Sequence, residues 1–318
     1  MIQTETTDNR QSVCGVAANL GAAPQTAVTP TVSVVMVAYN QAHLIERAIK
    51  GVVRQRTRFG IQLIISDDAS TDDTCRVAME WQRKYPDIVE VYRNERNLGI
   101  QRNYLAAMSR ARGEYIAMCD ADDYWCDRSK VERQLGWMEA HPECAVTFHR
   151  VVNHYPRTHT MSLSNPGQKT ETTIADLSRG NYITNCSVIS RRVLEVSSLP
   201  AWITGDVWPD YPLHMLHARH GSIHYFSRPM AVYRQGDTGA WTTNGRLGQL
   251  RKALKVREHL LEEFATDEAA REGLNQAVAA IHAAMETAGD VPRRLPAKKR
   301  LLRLIRQGVT FLMPLPRP

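Results

Sequence analysis

From residue 32 onward the chain alternates short β-branched runs with helical stretches, and this alternation restricts the fold more than any other feature. Residues 32–37, 61–66, 88–92 and 115–118 are apolar runs of strand length. Between the first two, residues 42–54 place Leu44, Ile45, Ala48, Ile49 and Val52 on one helical face. Residues 70–84 and 100–110 read as two more helices, the first with Ser70 and Asp73 spaced as a capping box. Short strands separated by helices predict an α/β fold with a mostly parallel central sheet flanked by helices, Rossmann-like in plan. In such sheets ligands bind at the carboxyl ends of the strands.

Those ends carry polar residues. The first strand is followed by Ala38-Tyr39-Asn40 and the second by Asp67-Asp68. The fourth leads through Cys119 into three carboxylates in four positions, Asp120, Asp122 and Asp123. Acids packed this closely repel one another and lose hydration unless a cation or donor groups offset the cost. A hard divalent ion such as Mg²⁺ takes one or two carboxylates and completes its shell with substrate phosphates. Singly, each strand-end acid reads as well as a cap or a solvated turn. Three segments converging on one edge favour a nucleotide-phosphate and metal site. No Gly-x-Gly-x-x-Gly follows the first strand, and no Gly-x-x-x-x-Gly-Lys-[Ser/Thr] occurs anywhere. A dinucleotide-binding dehydrogenase and a P-loop ATPase are therefore disfavoured.

Composition narrows the partners. With 318 residues, 43% hydrophobic and 23% charged, the chain can bury one sizeable α/β core plus appendages. Its net charge of +7 is concentrated at one end, because residues 291–318 hold eight Lys or Arg and no acid. The remainder is near neutral, so no nucleic-acid face is expected on the main domain. Six cysteines lie scattered without a Cys-x-x-Cys pair, which argues against zinc and for reduced thiols in a cytoplasmic setting. Residues 1–30 are Thr/Ala-rich with no basic n-region and read as a flexible lead-in rather than a signal peptide. No uncharged apolar run reaches transmembrane length.

Past Trp125 the pattern shifts. A helix at 128–140 and a strand at 144–148 precede a polar stretch, 153–170, that reads as a loop or hairpin. A helix opening on an acid follows, near Asp206 and Asp210, then a strand from Val232 into a loop, and helix from 246 to 288. This divides the chain into a lead-in (1–30), a catalytic domain (31–245, split at 127/128 into donor and acceptor halves) and a helical C-terminal extension (246–318).

Five segments in order carry a resemblance. They are Val32-Ser-Val-Val-Met-Val-Ala-Tyr-Asn40, Ile64-Ile-Ser-Asp-Asp-Ala-Ser-Thr-Asp72, Asn97-Leu-Gly99 with Asn103, Gly113-Glu-Tyr-Ile-Ala117, and Asp120-Ala-Asp-Asp-Tyr-Trp125. Together they resemble the family-2 glycosyltransferases of GT-A fold, over about residues 32 to 241. The likeness is greatest to bacterial members that build cell-surface polysaccharide or glycan chains. The resemblance implies metal-dependent, inverting transfer from a nucleotide-diphospho-sugar donor to a glycan or lipid-linked acceptor. In that reading the Tyr39 ring packs on the base, Asp68 accepts a hydrogen bond from base or ribose, and Asn103 belongs to the donor site. Asp120 sits near ribose or metal, and Asp122 is the principal ligand of Mg²⁺ or Mn²⁺. The general base is an Asp that opens a helix in the second half. Asp210, in Pro-Asp-Tyr-Pro-Leu, matches it, with Asp206 as competitor and a plain N-cap as the structural alternative.

One departure stands out. Relatives often carry Tyr-Arg-x-His in the late loop, where this chain has Tyr233-Arg-Gln-Gly236. Asp237 is a substitute for that His, Arg234 a candidate phosphate contact, and Trp241 a candidate acceptor platform. Near the end, residues 298–313 alternate Leu, Ile and Val with Lys and Arg at helical spacing. Such a helix can lie on the anionic inner face of a cell membrane as a peripheral contact, or pack on the catalytic domain. Two other functions remain open. A nucleotidyltransferase would need a Gly-rich basic loop after the first strand, which Tyr39-Asn-Gln-Ala-His43 lacks. A degenerate binding protein would keep the fold without the chemistry.

Overall fold

Every side chain of β2 (Val32–Ala38) is buried, and the two faces of this one strand define the two halves of the core. Val34 and Met36 point to one side, against α1 (Ile45–Val53), α2 (Thr74–Lys84) and α4 (Lys130–Ala140). Val35 and Val37 point to the other, toward α3 (Ile100–Met108), α5 (Ile174–Arg179) and α6 (Asp210–Ala218). The same alternation runs through β3 (Ile61–Asp67), where Ile64 faces one cluster and Leu63 and Ile65 the other. A strand apolar on both faces can only be central and covered by helices on each side. The computed structural model describes residues 18–19, 29–204, 209–236 and 245–289. Asp206, Asp237, Trp241, most of the 1–30 segment and the basic stretch 298–313 lie outside the described residues.

β2 pairs in parallel with β3 on one side and β5 (Tyr115–Met118) on the other, and β3 pairs in parallel with β4 (Val89–Arg93). Beyond β5 the sheet continues through β10 (Ile189–Arg191), antiparallel to both neighbours, to β7 (Cys144–Tyr155) and β11 (Ser222–Arg234). β11 runs parallel to β7 and closes on the short β6 (Tyr124–Trp125). The result is a mixed α/β sheet with helices on both faces, in which β2, β3, β4, β5, β7 and β11 share one direction and short strands such as β9 (Glu171–Thr172), beside β11, run against them. β1 (Ala18–Asn19) lies antiparallel along the outer edge of β4, covering part of that strand's open hydrogen-bonding edge.

Local details differ from the sequence expectation at several points, the largest being β11, which begins at Ser222, well before the strand expected from Val232. Ser70 and Asp73 form no capping box for α2, because the Ser70 hydroxyl accepts a hydrogen bond from the Asn40 N–H at 2.9 Å. Asp72 serves instead, accepting from the Thr74 N–H at 2.9 Å and from the Ala42 N–H at 3.1 Å. β7 runs well past its apolar core to Tyr155, since its polar end pairs with β8 (Thr160–Leu163) as a hairpin. The C-terminal helical stretch is two helices, α7 (Gly245–Glu263) and α8 (Glu268–Gly289), broken where Asp267 caps the Ala270 N–H at 2.9 Å. Val256 and Leu260 of α7, Phe264 of the connecting turn, and Ala270 and Leu274 of α8 are buried in the same cluster as α3 and α6.

The glycine of the fourth motif is explained by crowding. A Cβ on Gly113 would stand 2.7 Å from the Ser33 nitrogen and 2.9 Å from the Thr31 carbonyl oxygen, both backbone atoms of the adjoining strand. Gly113→Ala is therefore expected to destabilise the fold by about 1–3 kcal/mol. Gly136→Ala, in α4 with nothing within 4 Å of the new methyl, should be neutral or stabilising. Urea midpoints of the two variants check the contrast.

Candidate active site

Hydrogen bonds beyond the strand ends draw three polar segments together. The Asp68 N–H donates to the Ala38 carbonyl at 2.9 Å, and the Ala121 N–H to the Val37 carbonyl at 3.3 Å. Asn40 and Ala69 both adopt positive φ, at 53° and 58°. That backbone lets Asn40 Oδ1 accept from the Thr71 N–H at 2.8 Å, knitting the loop after β2 to the loop after β3. Tyr39, at the tip, keeps 48% of its surface exposed, and its ring is free to meet a flat partner.

Asp68 is buried and engaged. Its Oδ1 accepts from Asn94 Nδ2 and the Leu98 N–H, each at 2.8 Å, and its Oδ2 from the Gly99 N–H at 3.0 Å. Asn103 lies beneath the same loop, 2% exposed, with its amide spent on Ser66 and Asn94. It braces the strand ends from below and is not on the wall of the cavity beside Asp120.

The three acids after β5 take three different environments. Asp123 is 2% exposed and accepts from the Arg234 N–H at 2.8 Å, so it ties the acidic turn to the end of β11. Asp120 accepts from Asn185 Nδ2 at 2.9 Å. Asp122 has the Arg234 guanidinium as its opposing charge. Burial raises all three carboxyls, Asp120 to about 7, with Asp122 and Asp210 adding to the rise and Asn185 opposing it. Asn185 is itself held from several sides. Trp125 Nε1 donates to the Cys186 carbonyl at 3.0 Å and Gln134 Nε2 to the Ser187 carbonyl at 3.0 Å. Gln134 accepts in turn from the buried ammonium of Lys130 at 2.7 Å.

A cavity of about 470 Å³ opens beside Asp120, walled by Tyr104 of α3, Asn185, Asp210 at the start of α6, Tyr233 of β11, and Lys252 and Arg257 of α7. Asp210 was expected as a base on sequence grounds, and the cavity brings it together with Asp120. Burial raises its carboxyl above the ordinary range while the amides at the head of α6 work against the rise. Tyr104 and Asn185 are neighbours on the cavity wall, and the Asn185 side chain opposes the rise that burial imposes on the Tyr104 hydroxyl. Tyr39, Asp68, Asn103, Asp122 and Arg234 are not on the cavity wall, although Asp122 and Arg234 adjoin it through Asp120 and Asp123.

Among the described residues no group of three His, Cys, Asp or Glu side chains gathers into a protein-only metal cage. Asp120 and Asp122 offer two hard, desolvated carboxylates with one guanidinium opposite, a donor set that fits a divalent ion whose other ligands are phosphate and water. Sequence reasoning missed Tyr104, Asn185, Lys252 and Arg257. Asn185 lies in a segment whose polarity is visible but whose direction is not, and Lys252 and Arg257 lie in a stretch whose sequence reads only as helix.

Comparison with known proteins places the fold. Residues 33–197 match the glycosyl transferase family 2 domain. An uncharacterized protein of Mycobacterium tuberculosis is 37% identical over 211 residues, covering 66% of this chain and 60% of that protein. The chain thus spans 60% of the length of that curated relative. The Escherichia coli UDP-Glc:alpha-D-GlcNAc-diphosphoundecaprenol beta-1,3-glucosyltransferase WfaP is 34% identical over 116 residues, 34% of this chain and 41% of WfaP. Residues 1–349 of Staphylococcus aureus TarS, in complex with UDP-GlcNAc, superpose with a TM-score of 0.58 at 18% identity, over 78% of this chain and 73% of that one. The mannosyltransferase PcManGT of Pyrobaculum calidifontis, in complex with GDP-Man and Mn²⁺, gives 0.54 at 19% identity, over 89% and 82%.

The raised carboxyl of Asp120 has a stability consequence with a definite sign. A carboxyl whose folded pKa exceeds its unfolded value binds more protons in the folded state, so stability rises as pH falls through the folded value. In the presence of a chelator, the midpoint of Asp120→Asn relative to the native protein should be more favourable near pH 8 than near pH 5.5, from Asp120 titrating at about 7. Comparing the two proteins at each pH cancels the buried Lys130, His214 and His217, whose lowered values act in the opposite direction. A difference between the two proteins that is independent of pH over this range would contradict the burial of Asp120.

Proposed function

This chain belongs to glycosyl transferase family 2, and on that premise we propose that it moves a sugar, with inversion, from a nucleotide-diphospho-sugar to an acceptor hydroxyl. The observation that carries this reading is that Asp120 and Asp210, ninety residues apart in sequence, share the wall of one cavity. The acids of the first half suit a donor, and the acid of the second half suits an acceptor.

In this reading the exposed Tyr39 ring packs on the nucleotide base. Asp68 holds the loop at 94–99, and its Oδ2 keeps one lone-pair direction for a base or ribose donor. Asp120 and Asp122 would hold Mg²⁺ or Mn²⁺, which neutralises charge on the diphosphate when bound. Arg234, fixed by Asp123, adds a second positive charge on the same side. Asp210 accepts the proton of the acceptor hydroxyl as that oxygen bonds to the anomeric carbon and the bond to the diphosphate breaks on the opposite face. A carboxylate raised by burial is a stronger base than one in water, which suits the task. UDP-GlcNAc in TarS and GDP-Man with Mn²⁺ in PcManGT are donors of the class required. A role in bacterial cell-surface glycan assembly agrees with the named activity of WfaP. No helix among the described residues is long and apolar enough to cross a membrane.

The first experiment is thermal stability against a panel of nucleoside diphosphates with and without Mn²⁺, since a ligand of the native state raises the midpoint by mass action. One nucleotide should give a metal-dependent shift that Asp122→Ala abolishes. Asp210→Asn should keep that shift and lose about 10²–10⁴-fold in kcat. The acid limb of the kcat/KM profile should lie above the ordinary carboxylate value of 3.8. Full turnover by Asp210→Asn would remove it as the base.

A further inference from the structure

The wall that α7 contributes to the cavity carries two cations, Lys252 and Arg257, and no carboxylate among the described residues forms an ion pair with either. Arg257 donates from Nη1 to the Ala253 carbonyl of its own helix at 3.0 Å. Its Nε is buried with no acceptor. The guanidinium stands 5.1 Å from the centre of the Tyr211 ring, and that ring is fixed by its hydroxyl, which donates toward the Leu177 and Ser178 carbonyls at 3.1 and 3.2 Å. A guanidinium has five N–H donors in a planar fork shaped for an oxyanion. Leaving such a group partly buried with an idle donor is costly unless a ligand uses it.

We propose that Lys252 and Arg257 bind an anionic group of the acceptor, a phosphate or carboxylate, and so hold the acceptor hydroxyl toward Asp210. This rests on the glycosyl-transfer reading above and adds the acceptor's chemical class to it. The assignment to acceptor rather than donor follows from position. The donor diphosphate belongs with Asp122 and Arg234, at the ends of β5 and β11. Arg257 packs instead on Tyr211, the residue next to Asp210, on the α6–α7 side. In an inverting displacement the base and the leaving diphosphate take opposite faces of the sugar, so a cation on the base side meets the incoming molecule. A neutral acceptor would leave the buried Nε unanswered. An anionic one satisfies it with a charge-assisted bond.

The test uses the full chain and inorganic phosphate or pyrophosphate as probe. Calorimetric titration is run with the donor site filled by Mn²⁺ and the nucleoside diphosphate that gives the largest metal-dependent thermal shift. The native protein should bind the probe under these conditions, Arg257→Gln and Lys252→Gln should each weaken it about tenfold, and Arg257→Lys should recover part of the loss. Nucleoside diphosphate affinity should stay within about twofold in all three. Loss of nucleotide affinity in the variants would assign the cations to the donor diphosphate and overturn the proposal. Probe binding that is absent, or equal in native and variant proteins, would overturn it as well. Failure of every nucleotide to bind would instead strike the glycosyl-transfer reading, and the probe titration is then read without nucleotide. If Arg257→Gln does not fold, Lys252→Gln decides.

Discussion

A carboxylate withdrawn from water must be met by a donor or a cation, and the turn after β5 withdraws three. The rest of the site is arranged to answer them. Asp123 takes a backbone N–H from the end of β11, Asp120 takes an amide from the 185–187 turn, and Asp122 takes the field of Arg234. Each answer recruits a segment from the second half of the chain. The strand-end acids therefore gather segments of the second half around themselves. Arg234 faces Asp122 because Asp123 holds its backbone.

The supports for this arrangement reach deep into the sheet. Trp125 and Gln134 hold the 186–187 carbonyls, and Lys130 backs Gln134 with an ammonium that burial pushes down to about 7. The indole of Trp125 lies under that ammonium, 4.2 Å from its ring centre. An amine in this setting is a structural donor rather than a surface charge. On the opposite face, α7 and α8 pack into the same cluster as α3 and α6, and α7 closes the cavity as well.

Most of the central sheet was legible in the sequence because continuous apolar runs of strand length and helical stripes are local signals. The strands at 32–38, 61–67 and 115–118 fall within a residue of expectation. What the sequence left hidden depends on distant partners. Nothing near Ser70 says that its hydroxyl will serve Asn40 instead of α2, and nothing near Asp123 says that it will hold Arg234 rather than a metal. The polar stretch after Val152 reads equally as loop or hairpin, and only the pairing of β7 with β8 decides for the hairpin. Asp120 and Asp210 were readable as separate acids. That they face one cavity, with cations from α7 across it, is a property of the folded chain alone.

Burial of β2 on both faces has a further effect on alignment. In a half-exposed strand, sliding by one residue exchanges apolar for polar side chains and is strongly opposed. β2 has apolar or small residues at every position, so hydrophobic pattern hardly distinguishes one register from the next. Its alignment must come from elsewhere. At one end the close approach of Gly113 admits only one strand position. At the other, the bonds among Asn40, Ser70, Thr71 and Asp72 latch the loops together. The loops at the carboxyl ends of β2 and β3 are thus also the key that sets the sheet, and a substitution there acts on alignment and on the candidate site at once.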